Sequence, residues 1–446
     1  MLRLRRAWAA LPAALLLSTP AFPAETVQRV EPGDVAWMLV CTALVLLMTV
    51  PGLALFYAGM VRKKNVLATM MQSFTLCALV TVLWMVIGYS LAFTNGNMLI
   101  GDLSRVMLNG LADGWDKPFT LGAGTANPLP MTIPESVFLL FQMAFAVITP
   151  AVVTGAFADR MKFSALLLFM SLWSLLVYAP IAHWVWGATG WLNLMGVADF
   201  AGGTVVEINA GVAGLVCALV LRRRLGYGHE NMAPYNLAYA VTGASLLWVG
   251  WLGFNSGGAL GASGRTGMAV LATQIAAAGA TLAWGFAEWV LRGKPSVLGA
   301  ISGAVAGLVA ITPAAGFVLP GPALGIVIVA GTVCFWAATS LKQRLGYDDS
   351  LDAFGVHGVG GIIGTLATGA FAFGPLSATP EHPEGVYVGG LSLLGVQATA
   401  TVATLAYSGL MSWGLLKITD LAVGLRVTPE QEREGLDIAL HGEQVF

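Results

Sequence analysis

Two residues that can exchange a proton, Glu207 and His357, lie inside long apolar segments. At the centre of a bilayer an ionised side chain costs about 3 kcal/mol or more, so such residues usually face the protein interior and find a partner. We expect each to be the other's partner, either as carboxylate and imidazolium or as neutral acid and neutral imidazole. In both states the two groups share one proton. The pair is a candidate proton relay, with a structural crosslink between two helices as the alternative.

The two segments match each other in register. Glycine follows both residues at positions +4 and +7, as Gly211 and Gly214 after Glu207 and as Gly361 and Gly364 after His357. The two positions lie in the fifth and the tenth apolar segments, and an offset of five, an odd number, reverses the direction in which the chain crosses the membrane. The match therefore predicts an inverted repeat, an arrangement in which transporters place their site near the bilayer midplane.

Composition sets the class of protein. Of the 446 residues, 57% are hydrophobic and only 10% are charged, whereas soluble domains carry about 25% charge; this excludes a water-soluble globular enzyme. The net charge of −1 excludes a nucleic-acid-binding protein, which would carry a basic surface. The four cysteines form no CxxC pair, so no metal or cofactor is predicted. Neither HExxH nor GxSxG occurs, which argues against an intramembrane enzyme.

The expected fold is an all-α polytopic membrane protein with eleven transmembrane helices, a 5+5 inverted repeat plus one. Residues 1–24, basic and then briefly apolar, predict a signal peptide. Residues 25–416 form the membrane domain, with spans 1–5 at about 34–221, spans 6–10 at about 235–373 and span 11 at about 390–416. Residues 417–446 form a polar cytoplasmic tail. Lys and Arg concentrate in the loops on the tail side, which predicts the N-terminus outside and the C-terminus inside.

A set of short motifs runs in a fixed order through residues 34–446. They are Phe141-Gln-Met-Ala-Phe145, Gly155-Ala-Phe-Ala-Asp159, Ala179-Pro-Ile-Ala-His183, Asp199-Phe-Ala-Gly202, Gly250-Trp-Leu-Gly-Phe-Asn255, Gly293-Lys-Pro-Ser296, Asp352-Ala-Phe-Gly-Val-His-Gly358 and Glu434-Gly-Leu-Asp437. Together they resemble the ammonium transporter family (Amt/Mep/Rh). The resemblance implies selective ammonium uptake by a homotrimer in the cytoplasmic (inner) membrane, with one pore in each subunit.

The resemblance also implies roles for particular side chains. Phe145 and Trp186 would recruit ammonium at the outer face, Phe141 and Gln142 would line the approach, Phe145 and Phe254 would form the gate, Trp251 would line the pore, and Asp199 would add negative potential. Aromatic faces suit this task because each attracts a cation by about 0.5–2 kcal/mol. Asp199 also precedes the fifth span, where capping of the helix is the alternative role.

Two positions depart from the family pattern. Glu207 stands where most members carry the first of two pore histidines, and fungal-type members show the same exchange. Gly258 stands where a serine often supplies a hydroxyl to the recruitment site, so a bound cation loses one acceptor and a water molecule can replace it. On the inner side, Asp348, Asp349 and Asp352 precede the tenth span, and we expect at least one of them to cap it.

The sequence thus predicts a mechanism in which NH4+ binds outside and loses its proton near Phe145 and Phe254. Neutral NH3 then crosses an apolar pore, and the proton moves separately through Glu207 and His357. Two alternatives stay open: a passive NH3 channel, and an ammonium sensor that acts through a cytoplasmic partner. The family also makes a PII-type regulatory protein a candidate partner at the cytoplasmic face.

Overall fold

The computed structural model describes residues 29–379 and 383–445, so the expected signal peptide, 1–24, lies outside the described residues. Ten helices of this part of the chain are long and apolar enough to cross a membrane, and one shorter apolar helix, α8, lies among them. They are α1 (Pro32–Met60), α2 (Lys63–Phe93), α3 (Glu135–Ala156), α4 (Phe163–Leu194), α5 (Gly203–Leu221), α6 (Leu237–Ala259), α7 (Gly264–Arg292), α8 (Val297–Ile311), α9 (Pro320–Leu345), α10 (Phe354–Phe371) and α11 (Leu391–Val423).

The helices form one bundle in which α3 is almost wholly buried. At 15 residues, α8 is about 22 Å long at 1.5 Å per residue, shorter than the hydrocarbon thickness of about 30 Å. Between α2 and α3 the chain forms only two short 3-10 turns, Val106–Leu108 and Leu111–Gly114, and Thr120–Leu121 (β1) pairs antiparallel with Leu129–Pro130 (β2). The all-α expectation therefore holds for the membrane-crossing segments but not for this loop, where Gly and Pro disfavour helix.

The helices α5 and α10 cross at close range because glycines lie at their contact. A Cβ atom added to Gly211 would lie 2.2 Å from the backbone nitrogen of Gly358, and one added to Gly361 would lie 2.9 Å from the Cβ of Glu207. Such contacts leave no room for a larger residue. The glycines that the sequence places in register thus allow the two helices to approach at the level of Glu207.

Both of these helices begin with a wide π-helical turn. In α5 the turn covers Gly203–Ile208 and contains Glu207, and in α10 it covers Phe354–Gly358 and contains His357. A π-helical turn shifts the direction of the side chains that follow from the regular helical register, and such turns recur at functional sites. Both candidate relay residues therefore lie in a π-helical turn at the start of their helix.

The tail packs against the ends of the bundle. The helix α11 runs to Val423, beyond the expected end at 416, and a short helix, α12, follows at Pro429–Glu434. Asp437 then accepts hydrogen bonds from the backbone nitrogens of Ala68 (2.7 Å) and Leu67 (3.1 Å). The tail carboxylate thereby satisfies free N–H groups in the first turn of the main helical run of α2.

Candidate functional site: an aromatic vestibule above a buried glutamate and histidine

Glu207 and His357 meet inside the bundle. The Nδ1 atom of His357 lies 2.7 Å from Oε2 of Glu207, and the two residues are 1% and 5% exposed. This is the distance of a strong hydrogen bond, in which either group can hold the shared proton. The expected contact is present, and it joins α5 to α10.

Asp199 caps the start of α5, the helix that carries Glu207. Its carboxylate accepts hydrogen bonds from the backbone nitrogens of Gly202 (2.8 Å), Gly203 (2.6 Å) and Thr204 (2.8 Å), and from the Thr204 hydroxyl. The capping role that the sequence leaves open is therefore present. The carbonyl of the same residue accepts a bond of 2.9 Å from Nε1 of Trp186, so one residue anchors both the helix and a vestibule ring.

Asp349 does the same for the helix that carries His357. Its carboxylate accepts hydrogen bonds from the backbone nitrogens of Phe354 (2.8 Å) and Ala353 (3.1 Å). Like Asp199 before Glu207, it lies eight residues before its partner along the chain. Burial, followed by the neighbouring charge of Asp352, raises the pKa of Asp349 to about 6. Sequence reasoning expected a cap among three aspartates, but the equal spacing was the signal that would have selected this one.

Four aromatic side chains pack together on the side of the Glu207–His357 pair that the sequence predicts to be the outer one. The rings of Phe145 and Phe254 lie with centroids 4.3 Å apart at an interplanar angle of 36°. Trp186 meets Phe145 edge-on at 5.8 Å, and Phe141 meets it at 4.8 Å. Phe145 and Phe254 are each 1% exposed, so their stack leaves no open path between the rings.

Cavities lie above and below this stack. An outer vestibule of about 780 Å³ is lined by Phe141, Gln142, Phe145, Trp186, Asp199 and Gly258, among others. Beneath the stack, a cavity of about 10 Å³ is bordered by Phe254, Trp251, Glu207 and His357, about the space that a single water molecule needs. An inner cavity of about 170 Å³ also reaches His357.

The remaining predicted residues border this series of cavities. Nε1 of Trp251 donates a hydrogen bond of 2.9 Å to Oγ1 of Thr312, which fixes the indole beside Phe254 at a centroid distance of 5.3 Å. Gly258 faces the carbonyl of Phe200, whose oxygen would lie 2.3 Å from an added Cβ. A serine does not fit there without movement of the backbone. Sequence reasoning missed Phe200 because a backbone acceptor leaves no mark on residue type.

A bundle of apolar helices with an aromatic vestibule above a narrow, mostly apolar passage defines a membrane transporter for a small solute that aromatic faces attract. Comparison with known proteins identifies the solute. The family model for the Ammonium Transporter Family matches residues 36–446, and the chain belongs to that family. Its function is ammonium transport.

Similar proteins of known family span nearly the whole chain. The chain is 48% identical to an ammonium transporter of Bacillus subtilis over 414 residues, which cover 93% of this chain and 98% of the relative. It is 44% identical to an ammonium transporter of Aquifex aeolicus over 432 residues, 97% of each. Among solved structures, Saccharomyces cerevisiae Mep2 superposes with a TM-score of 0.80 at 34% identity over 90% of this chain and 89% of that one.

Proposed function

We propose that ammonium enters this protein as NH4+ and crosses it as NH3, with the proton carried separately by Glu207 and His357. One observation carries the proposal: the hydrogen-bonded pair, 2.7 Å apart, borders the small cavity directly beneath the stacked rings of the gate. A proton donor and acceptor therefore adjoin a passage that is otherwise apolar.

Recruitment follows from the vestibule. The cation exchanges water for the faces of Phe145 and Trp186, an attraction of about 0.5–2 kcal/mol for each ring. The Phe200 carbonyl, which adjoins Gly258, supplies the acceptor that a serine hydroxyl gives in other members. Asp199 contributes mainly by holding the first turn of α5 and the indole of Trp186 in place.

Selectivity follows from the passage. A cavity of about 10 Å³ cannot hold an ion together with a hydration shell, and moving a bare ion into apolar surroundings costs many kcal/mol. K+ has no proton to lose, whereas NH4+ becomes neutral NH3 by giving its proton to water near the gate. The proton then passes through the Glu207–His357 pair and rejoins NH3 at the inner cavity, so the net transport is NH3 plus H+.

The proposal also covers the topology of the chain, its oligomeric state and its partners. Eleven spans, counting α8, place the N-terminus outside and the C-terminus inside, in a homotrimer within the cytoplasmic membrane after the signal peptide is removed. The docked tail, anchored through Asp437, forms part of the inner face where a PII-type protein would bind. Lipid, ammonium and that protein are the proposed partners.

Sensing is the second candidate function, and one observation favours it. A solved structure described as a sensor Amt protein superposes with a TM-score of 0.81 at 28% identity over 92% of this chain and 98% of that one. A sensor needs to bind ammonium but not to conduct it rapidly. The rate of transport in the purified protein therefore separates the two functions.

Proteoliposomes that contain the purified protein test the proposal. We expect an inward ammonium gradient to evoke a current that saturates with ammonium concentration, and an equal K+ gradient to evoke none. Electroneutral ammonium flux, measured as internal alkalinisation without current, would contradict the relay and favour the passive NH3 channel. Binding without measurable flux would favour the sensor.

A further inference from the structure

A positive charge lies in the wall of the vestibule that receives the cation. Arg265, in the first turn of α7, lines this cavity. Its guanidinium carbon lies 4.6 Å from the ring centroid of Phe317 and 5.0 Å from that of Phe200, and Nε donates a hydrogen bond of 3.1 Å to the carbonyl of Gly316. Within 29–379 and 383–445, Arg265 makes no ion pair with a carboxylate.

The guanidinium is held in a fixed place. Phe200 and Phe317 pack edge to face at a centroid distance of 5.2 Å. A Cβ on Gly316 would lie 2.1 Å from the Phe200 ring, so only glycine permits this packing. Cation–π contacts with both rings leave the side chain little freedom. Arg265 therefore presents a permanent charge at a defined position rather than a mobile surface charge.

The same phenylalanine connects Arg265 to the recruitment site. Phe200 follows Asp199 in the chain, and its carbonyl oxygen packs against Gly258, while its ring faces Arg265. One aromatic residue thus separates the fixed charge from the proposed acceptor of ammonium. At separations of about 8–10 Å in a partly solvated cavity, repulsion between two unit charges is about 0.5–2 kcal/mol.

We propose that Arg265 sets the affinity of the vestibule by weakening the binding of NH4+ and promoting the release of its proton. A fixed positive charge destabilises a nearby cation relative to its neutral form. NH4+ therefore separates more readily into NH3, which enters the passage, and H+, which passes to water. Arg265 opposes the attraction of the aromatic rings, so the vestibule does not trap the ion that it recruits. This inference deepens the proposed deprotonation step and depends on it.

Concentration-dependent uptake tests the role of the charge. We expect Arg265→Gln and Arg265→Met to lower the half-saturating ammonium concentration about 3- to 10-fold and to lower the maximal rate as well. Arg265→Lys keeps the charge and should stay within about 2-fold of wild type. Lys117→Gln is the matched control, because it removes a positive charge from an exposed position of the outer loop that does not line the vestibule. The difference between wild type and Arg265→Gln should shrink at high ionic strength.

The outcomes separate charge from shape. If Arg265→Lys behaves like the glutamine and methionine variants, the guanidinium acts by packing and the proposal is wrong. If the glutamine and methionine variants keep the half-saturating concentration of wild type, the cation does not sense the charge, and the proposal is equally wrong. Uptake of labelled substrate reports this concentration whether transport is electrogenic or electroneutral, so failure of the relay would be seen separately, as absence of current.

Discussion

The first turns of α5 and α10 are capped in the same way, each by an aspartate side chain. Each has an aspartate that accepts backbone hydrogen bonds, and each carries a residue of the proposed relay eight positions later. Their surroundings differ. Asp199 borders the vestibule of about 780 Å³, and no basic side chain of the described chain pairs with it.

Around Asp349, by contrast, charges are paired and buried. Arg224 bonds Asp348 at 2.8 Å, and Lys342 bonds Asp352 at 2.5 Å. Burial acts to raise the pKa of Asp348, but the hydrogen bond and charge of Arg224 outweigh it and hold that pKa below its ordinary value. Two helix starts can thus share the same capping geometry and still lie in different electrostatic surroundings. The start of α5 borders an open cavity, while the start of α10 is surrounded by ion pairs.

The largest expected difference between the two helix starts is the effect of removing each capping carboxylate. Asp199→Ala removes the acceptor of four backbone N–H groups at a buried helix start, so we expect the free energy of unfolding to fall by about 2–4 kcal/mol and uptake to be nearly abolished. Asp349→Ala removes fewer bonds and should cost about 1–2 kcal/mol with uptake reduced only in part. Thermal unfolding in detergent and uptake per folded protein measure both effects. Equal losses of uptake in the two variants would contradict the proposed asymmetry.

The start of α10 should also differ from that of α5 in how its contribution to stability depends on pH. Because burial raises the pKa of Asp349 to about 6, the folded protein binds this proton more tightly than the unfolded chain does. Stability should therefore decrease as pH rises from about 4 to about 6, by about 2–3 kcal/mol in all, and stay level above that. The difference in thermal unfolding between wild type and Asp349→Asn isolates this contribution. If the difference in stability between wild type and Asp349→Asn does not change between pH 4 and pH 7, Asp349 is ionised in the folded protein throughout that range, and the prediction is wrong.

Substitution of Gly258 tests whether the Phe200 carbonyl in the vestibule binds the cation. A Cβ there would displace the Phe200 carbonyl, so Gly258→Ala should raise the half-saturating ammonium concentration about 5- to 10-fold, the value of one lost acceptor. Gly258→Ser should raise it less, because its hydroxyl supplies a new acceptor. Gly267→Ala is the control, since an added Cβ there meets nothing within 4 Å. Equal effects of alanine and serine would show that the cation does not use this acceptor.

Sequence reasoning reached the features that depend on residue type. Apolar runs predicted the membrane helices, and isolated polar residues within them predicted the meeting of Glu207 and His357. Features that depend on tertiary packing could not be predicted from the sequence. The Phe200 carbonyl beside Gly258 and the position of Arg265 over two rings are of this kind. Hydropathy averages over a segment, so it reports that a segment is buried but not which groups face one another.

The central claim is that Glu207 and His357 carry the proton while NH3 crosses separately. The most direct test compares current and substrate flux in proteoliposomes that contain wild type, Glu207→Gln or Glu207→Ala, at matched amounts of folded protein. We predict that Glu207→Ala loses at least about 90% of the ammonium-evoked current, about 1.4 kcal/mol in the barrier to proton transfer, with electroneutral NH3 flux retained. Equal current per unit of flux in wild type and Glu207→Ala would show that the pair is a structural crosslink and not a relay.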